Sequence, residues 1–534
     1  MTKKRVAVLL TFALLSFSLL FAGCNRRDNS VETLEIYVAN FGYGYEWLQP
    51  LMDDFAKQDW VKEKYPNLKF EEVSKNSERT YAVDQIKSGK TTVDLFISCS
   101  SGADSFESKD SKGNPYFEDL TDVYESEVPG EGVLFKDKMQ DEFLTMSTYE
   151  TYGGEYTYFC VPWVTGMQGM VYNRTMFEEY GWEVPNTTDE LLVLCDEIVA
   201  DGEVPFIFTS KENYWTCMMF LLWWGQYEGA DNYANFYQGL VCTNPDAPED
   251  EREYDYSNEV FAQMGRLRSL ETISSLIHAD NPKNYCHENV NTLQFTQAQS
   301  KFLTREGAMM PNGDWLEAEM RKVSTSGAIT DVFTFMKTPV ISSIIEKCTT
   351  IPDNDTLSKV IDAIDAGEES YGQVSAEDFA KVKEARKIVL PVGNHTIMIP
   401  AYATAKEVAK DFVRYLATDG ANNVFMEYSN GASMPFNYDV ETEDPELYNS
   451  LAQIQKDRIS LCQGATYLLN ENTYKTVYYG GIARVSQGRT VVEALFTAQN
   501  GKDRMSAREI YDAEIAYWDD VRFANVLTNS GITN

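Results

Sequence analysis

Residues 158–191 read YFCVPWVTGMQGMVYNRTMFEEYGWEVPNTTDEL, and the rest of the chain is ordered around them. The first half, Tyr158 to Asn173, is rich in aromatic and β-branched residues and predicts strand, interrupted by Pro162, Gly166 and Gly169. A short helical stretch then stops at Gly181. Thr187 and Glu190 form a T-x-x-E capping box, and Leu191, Leu194, Cys195, Ile198 and Val199 fall on one face of a helix ending at Gly202. The run VPFIFT (204–209) reads as the next strand.

The same alternation runs upstream. LEIYVANF (34–41), FEEV (70–73) and VDLFISCS (93–100) read as strands, separated by helical stretches at 47–58 and 78–89. Strand–helix–strand order implies right-handed crossovers and parallel pairing. Downstream, 214–240 and 259–278 are largely helical, 243–259 is an acidic loop, and 352–387 is a polar helical insertion. HTIMIP (395–400) is strand-like. The helix after it carries a second capping box, Thr404 to Glu407, and a buried stripe of Ala405, Val408, Ala409, Phe412 and Leu416. The expected class is α/β.

At 534 residues with 43% hydrophobic and 24% charged residues, the chain is long enough for two or three compact units. Eighty-two acids against 46 bases give a net charge of −36, which argues against a partner built of phosphates, so no nucleic-acid binding is expected. Aromatic residues make up 13%, enough for flat, half-polar binding surfaces as well as core. Nine Cys without a C-x-x-C pair and only three His give no zinc pattern. No metal and no cofactor are expected.

The N-terminus sets the compartment. Lys3, Lys4 and Arg5 precede an uncharged, mostly apolar run at 6–22, and then Phe21-Ala22-Gly23-Cys24 and a polar stretch. This is the layout of a secretory signal. The small pair before Cys24 resembles the lipobox of bacterial lipoproteins, with Phe21 where Leu is usual. The resemblance implies a signal peptide over 1–23, lipidation of Cys24, a tether over 24–32, and anchoring at the extracytoplasmic face of the cell membrane. Removing the signal leaves 43 bases against 82 acids, a charge of −39.

Motifs for catalysis fail on inspection. Gly42-Tyr43-Gly44 follows a strand, but Trp47 stands where a dinucleotide fingerprint needs its third glycine. Gly89-Lys90-Thr91 resembles a phosphate loop, but Asp84 stands where its first glycine belongs. The sequence contains neither H-E-x-x-H nor G-x-S-x-G, and Asp353-Asn354-Asp355 lacks calcium-loop spacing. Cys286, His287 and His278 are compatible with a metal but more simply with core or surface positions. A glycosidase carboxylate pair is a matter of distance, which counting does not give. These failures favour a binding protein over an enzyme.

Four segments in order resemble the family 1 extracellular solute-binding proteins of carbohydrate ABC transporters, the maltose-binding-protein-like group. They are VDLFISCSSG (93–102), the 158–191 block, REGAMMPNGDWLEAEM (305–320) and IPAYATAKEVAKDFVRYL (399–416). The resemblance spans about 33 to 435 and weakens over 352–387 and the last 100 residues. It implies a two-lobe, type II periplasmic-binding-protein fold with discontinuous lobes joined by hinge segments. One lobe would combine 33–159 with 395–435, the other 163–392 with 438–534. It further implies a monomer that captures a carbohydrate, an oligosaccharide by expectation, and delivers it to permease subunits.

In that fold a sugar is gripped by ring faces and carboxylate oxygens. The candidate ligand residues are Trp315 for stacking and Asp314 as hydroxyl acceptor. Trp163 follows the Pro162 step. Tyr43, Tyr45 and Glu46 lie on the loop after the first strand, Ser100, Ser101 and Asp104 on the loop after 93–100, and Trp223 in the apolar run MMFLLWWGQY. Alternatives left open are a peptide, polyamine or other solute in the same fold, a sensory lipoprotein, and a surface glycoside hydrolase.

Overall fold

The computed structural model describes residues 32–40, 42–76, 80–100, 106–150, 156–210, 214–245, 247–277, 285–324, 330–392, 395–469 and 504–529, together with 484–485, 489–490 and 494–495. Ten strands build two five-stranded sheets: β1 (Thr33–Ala39), β2 (Lys69–Asn76), β3 (Leu95–Ile97), β4 (Cys160–Pro162), β5 (Met167–Asn173), β6 (Met309–Gly313), β7 (Phe333–Phe335), β8 (Ile388–Pro391), β9 (Thr396–Met398) and β10 (Thr466–Tyr467). The first sheet has the order β2-β1-β3-β9-β4. β1 runs parallel to β2 and β3, whereas β9 is antiparallel to β3 and β4. Tyr37, Val38 and Ala39 are all buried, as expected of a strand covered on both faces. Helix 48–57 lays Leu48, Leu51, Met52 and Phe55 on the core in the i, i+3, i+4, i+7 rhythm.

The second sheet has the order β6-β5-β8-β10, with β7 also paired to β5. β5 is antiparallel to β6, β7 and β8. Helix 214–228 is apolar around its whole circumference. Met218, Met219, Phe220, Leu222, Trp223, Trp224 and Tyr227 are all buried, so the helix lies inside the lobe. The 352–387 segment forms two helices, 354–365 and 376–387, capped by Asp353 and Ser375, and the second leads directly into β8. Helix 507–517 is tied to helix 264–277 by a buried pair of Arg266 and Glu514. Arg266 also lies over the rings of Trp224 and Phe236.

The chain passes between the sheets at 163–166, and a second time between β8 and β9, where Val392 and His395 are described. A third segment, Gly431 to Phe436, lies beside them. Thr165 N–H donates to the Ser433 carbonyl, and Gln140 N–H to that of Pro435. Val440 and Leu451 then pack on Met426 of helix 419–428, on the first sheet's side. Only helix 453–462 reaches the second sheet, where Asp457 accepts from Thr334 Oγ1. Val440 and Leu451 thus pack on the first sheet's side, ahead of the helix that reaches the second sheet.

Several local expectations change. Thr187 caps its helix by accepting from Glu190 N–H (3.2 Å), while the Glu190 carboxylate accepts from Asn186 N–H rather than Thr187. Val199, expected on the buried face, is 37% exposed. VPFIFT makes only isolated bridges from Phe206, to Cys286 and Met309. Thr404 does not cap helix 406–416. Buried Asp94 does so from the start of β3, its Oδ1 accepting from Thr404 and Ala405 N–H (2.9 and 3.0 Å). Among the described residues, no helix is long and apolar enough to cross a membrane.

Candidate functional site

The three crossing segments lie edge to edge. Trp163 N–H donates to the His395 carbonyl (3.1 Å), Val392 N–H to Gly166 (3.2 Å) and Thr165 N–H to Ser433 (2.8 Å). The side chains that meet above this floor come from both lobes. From the first lobe, the loop after β1 turns at Gly42 (φ +29°) and Gly44 (φ +68°), conformations that favour glycine. Trp47 Nε1–H donates to the Gly44 carbonyl, and the Glu46 carboxylate accepts from Tyr45 N–H. With the loop fixed in this way, Tyr43 points inward and is 3% exposed.

From the second lobe, β6 ends at Gly313 and the turn presents Asp314 and Trp315. Tyr43 Oη–H donates to Asp314 Oδ1 at 2.7 Å, a charge-assisted hydrogen bond that joins the lobes. Asp314 is fully buried, its N–H donating to the Met167 carbonyl (3.1 Å). Burial pushes its carboxyl up to about 6, against the opposing pull of Arg458 and the Tyr43 hydrogen bond. Arg458 Nε lies 3.4 Å from Oδ2, at ion-pair distance. The Trp315 ring folds back over Gly313, where any Cβ would come within 2.1–2.4 Å of it, and its own Cβ backs onto Gly42 of the other lobe.

Trp163 completes the cluster. Its Nε1–H donates to the Ser98 carbonyl (2.8 Å). Its ring meets Tyr43 edge-on at 6.0 Å, His395 at 5.3 Å and Trp47 at 5.1 Å. Gly166 lies under the Tyr43–Asp314 bond. A Cβ there would come 2.3 Å from Tyr43 Oη, 2.6 Å from Val392 Cγ2 and 2.8 Å from Asp314 Oδ1.

Of the residues singled out in the sequence, the structure thus brings together Tyr43, Trp163, Asp314 and Trp315. Tyr45 is half-buried and Glu46 exposed, on the same loop. Ser100 is half-buried, its N–H donating to Ser98 Oγ and its carbonyl accepting from Thr396 Oγ1. Ser101, Asp104 and Cys24 lie outside the described residues, as does His278. Trp223 is placed elsewhere. It is 1% exposed in the second lobe's core, with its Nε1–H donating to the Pro339 carbonyl (3.1 Å). It does not reach the inter-lobe contact, because its ring is enclosed in the second lobe's core.

Sequence reasoning missed His395, Trp47, Gly166, Gln455 and Arg458. The first three sit beside residues it did single out. Gln455 and Arg458 carry no local signal, since their contacts with Asp314 span more than 140 positions. A cavity of about 730 Å³ adjoins the crossings between the lobes, lined among others by Gln140, Glu142, Asn422, Arg458 and Tyr467. His287, weighed for a metal, faces Glu306 at 3.2 Å. Among the described residues no group of three or more His, Cys, Asp or Glu could hold a metal ion. The arrangement offers ring faces, a buried acceptor and a segmented floor between two bodies. That is the equipment for holding a polar guest.

Comparison with known proteins bears on the family and the fold. The family model described as bacterial extracellular solute-binding protein matches residues 39–423. The multiple sugar-binding protein of Streptococcus mutans serotype c is 28% identical over 158 residues, 29% of this chain and 33% of that relative. The match thus spans a third of the length of that curated relative. Among solved structures, the apo form of RafE from Streptococcus pneumoniae superposes with a TM-score of 0.54 at 15% identity, covering 92% of this chain and 98% of that one. RafE has also been solved in complex with raffinose, where the TM-score is 0.53. The GacH receptor of Streptomyces glaucescens, solved unliganded and with acarbose, gives 0.55 at 13% identity, covering 93% and 99%. These likenesses establish the two-lobe α/β fold of the type II periplasmic binding proteins, and the relatives are binding proteins. With the family matched over most of its length, the chain belongs to the bacterial extracellular solute-binding proteins.

Proposed function

We propose that this chain is the capturing subunit of an ABC importer, binding a carbohydrate, an oligosaccharide by preference, between its lobes and handing it to membrane permease subunits. The observation that carries this is the Tyr43–Asp314 hydrogen bond across the lobes, with Trp163 and Trp315 beside it. Aromatic faces suit the apolar C–H faces of a sugar, and a carboxylate suits its hydroxyls. Trp315 stacks on the sugar, Asp314 accepts its hydroxyls, and Trp163 with the 43–46 loop and Ser100 completes the grip. The lobes move about 163–166, Val392, His395 and 431–436, and closure creates the shape a permease reads. The protein performs no chemistry on its cargo. It acts as a monomer, held at the extracytoplasmic face of the cell membrane by lipid on Cys24. The sugar names carried by its relatives support the ligand class.

The test is a thermal-shift and titration-calorimetry panel containing raffinose, malto-, xylo- and chito-oligosaccharides, peptides and polyamines. Saturable binding of a glycan, lost in Trp315→Ala with the circular dichroism spectrum retained, is the expected result. Binding confined to peptides or polyamines, or release of reducing sugar from the glycans, refutes it.

A further inference from the structure

Arg458 is 2% exposed and has partners in two directions. Toward the site, its Nε lies 3.4 Å from Asp314 Oδ2 and donates to Gln455 Oε1 (3.1 Å). Gln455, one helical turn earlier on the same face, donates from Nε2 to the Asp314 carbonyl (3.0 Å). Toward the crossings, Arg458 Nη2 donates to the Gly431 carbonyl (3.0 Å) and to Ser433 Oγ (2.8 Å). Gly431 adopts φ +98°, and a Cβ there would come 2.8 Å from Gln455 Cγ. The segment therefore accepts the helix face only as glycine. Ser433 in turn receives the Thr165 N–H, next to Gly166 beneath the Tyr43–Asp314 bond.

We propose that Arg458, seconded by Gln455, is the positioning residue of this site: it aims the Asp314 carboxylate and ties it to the 431–433 and 165–166 segments, so that an event at Asp314 is transmitted to the hinge. A guanidinium suits the task because its planar fork serves two directions at once, which an ammonium on a flexible stem does not. The inference rests on reading the inter-lobe contact as the binding site. It concerns how the site is coupled, not which ligand fills it.

Both arms of the test use the full chain without ligand, so their outcome is separable from that of the glycan panel. In the first, the titration of Asp314 is followed by carbon-detected NMR of Asp-labelled protein, with Asp314→Asn for assignment. Tyr43, Arg458 and Cys462 are the ionisable groups interacting with this carboxyl, and His395 stands beside Tyr43. Removing the cation in Arg458→Met should raise the Asp314 midpoint by at least one pH unit, and Arg458→Lys should restore most of it. A role confined to packing would lower thermal stability and leave the midpoint in place. In the second arm, Ser433→Ala keeps the charge and removes one of the two crossing-side hydrogen bonds of Arg458, leaving the one to the Gly431 carbonyl. Its radius of gyration by small-angle scattering should exceed that of the wild type, as the lobes loosen. An unmoved midpoint in folded Arg458→Met overturns the positioning role. If that variant does not fold, an unchanged radius in Ser433→Ala overturns the coupling.

Discussion

Replacing Gly166 by Ala adds one methyl group at the point where the lobes meet. The backbone there has no left-handed requirement, so whatever the substitution costs comes from contact. The new Cβ would lie 2.3 Å from Tyr43 Oη, 2.6 Å from Val392 Cγ2 and 2.8 Å from Asp314 Oδ1, all inside van der Waals distance. Val392 can shift a methyl group, but the hydroxyl and the carboxylate cannot both stay and still hydrogen-bond. Losing a hydrogen bond to a charged acceptor costs about 2 kcal/mol, and overpacking adds about 1 kcal/mol. A total of about 3 kcal/mol against the joined arrangement is roughly a 100-fold change in the closed-to-open ratio. Opening the lobes relieves the clash without unfolding either, so the change should appear in shape more than in melting temperature. Small-angle scattering of the ligand-free protein should show a larger radius of gyration for Gly166→Ala. Gly169→Ala is the control, because a Cβ there meets only Thr338 Oγ1 at 3.8 Å and Phe335 Cδ1 at 3.9 Å. Identical scattering from both variants and wild type would refute the reasoning.

Three further outcomes follow from buried charge. The Asp314 carboxyl is raised from its ordinary value of 3.8 to about 6, so between those values the native state holds a proton the unfolded chain has released. Its contribution to stability is complete below pH ~4 and fades as pH rises through 6, by about 3 kcal/mol in all. Urea midpoints of wild type should therefore fall relative to Asp314→Asn between pH 4 and 7, and parallel pH profiles would contradict the assignment. Glu514→Gln should destabilise the second lobe by about 3–5 kcal/mol in chemical denaturation, since it leaves the Arg266 guanidinium buried without its counter-charge. The double change Arg266→Met with Glu514→Leu should recover much of that loss. Asp94→Ala removes the acceptor that caps helix 406–416 and receives Glu35 N–H. A loss of about 2–3 kcal/mol in urea unfolding is expected.

The α/β class was legible because its signals are local. The helix beginning at Thr188 announces itself through Thr187, and strand β1 through its β-branched and aromatic run. The aromatic and acidic members of the inter-lobe contact were legible for a related reason. Tyr43, Asp314 and Trp163 each sit within a few residues of a strand end, where an open α/β sheet presents its loops. Distance defeated the rest. Thr404 and Glu407 are spaced to cap their own helix, yet Asp94, 310 positions away, does it, because its carboxylate is already fixed at the start of β3. Trp223 stands in the apolar run MMFLLWWGQY, whereas Trp315 follows the turn-like Asn312-Gly313-Asp314, so a difference between the two indoles was legible locally. What separates them is the backbone behind each ring. Trp223 is enclosed in the second lobe's core, whereas Trp315 turns back over Gly313 at the end of a strand and meets Gly42 of the other lobe. The glycines that make room at this contact, 42, 166, 313 and 431, are therefore as much part of the site as its rings. Each would be read from sequence as a turn or a strand break, but a Cβ at 42, 166 or 431 would meet a side chain distant in the sequence, and one at 313 would meet the folded-back Trp315 ring.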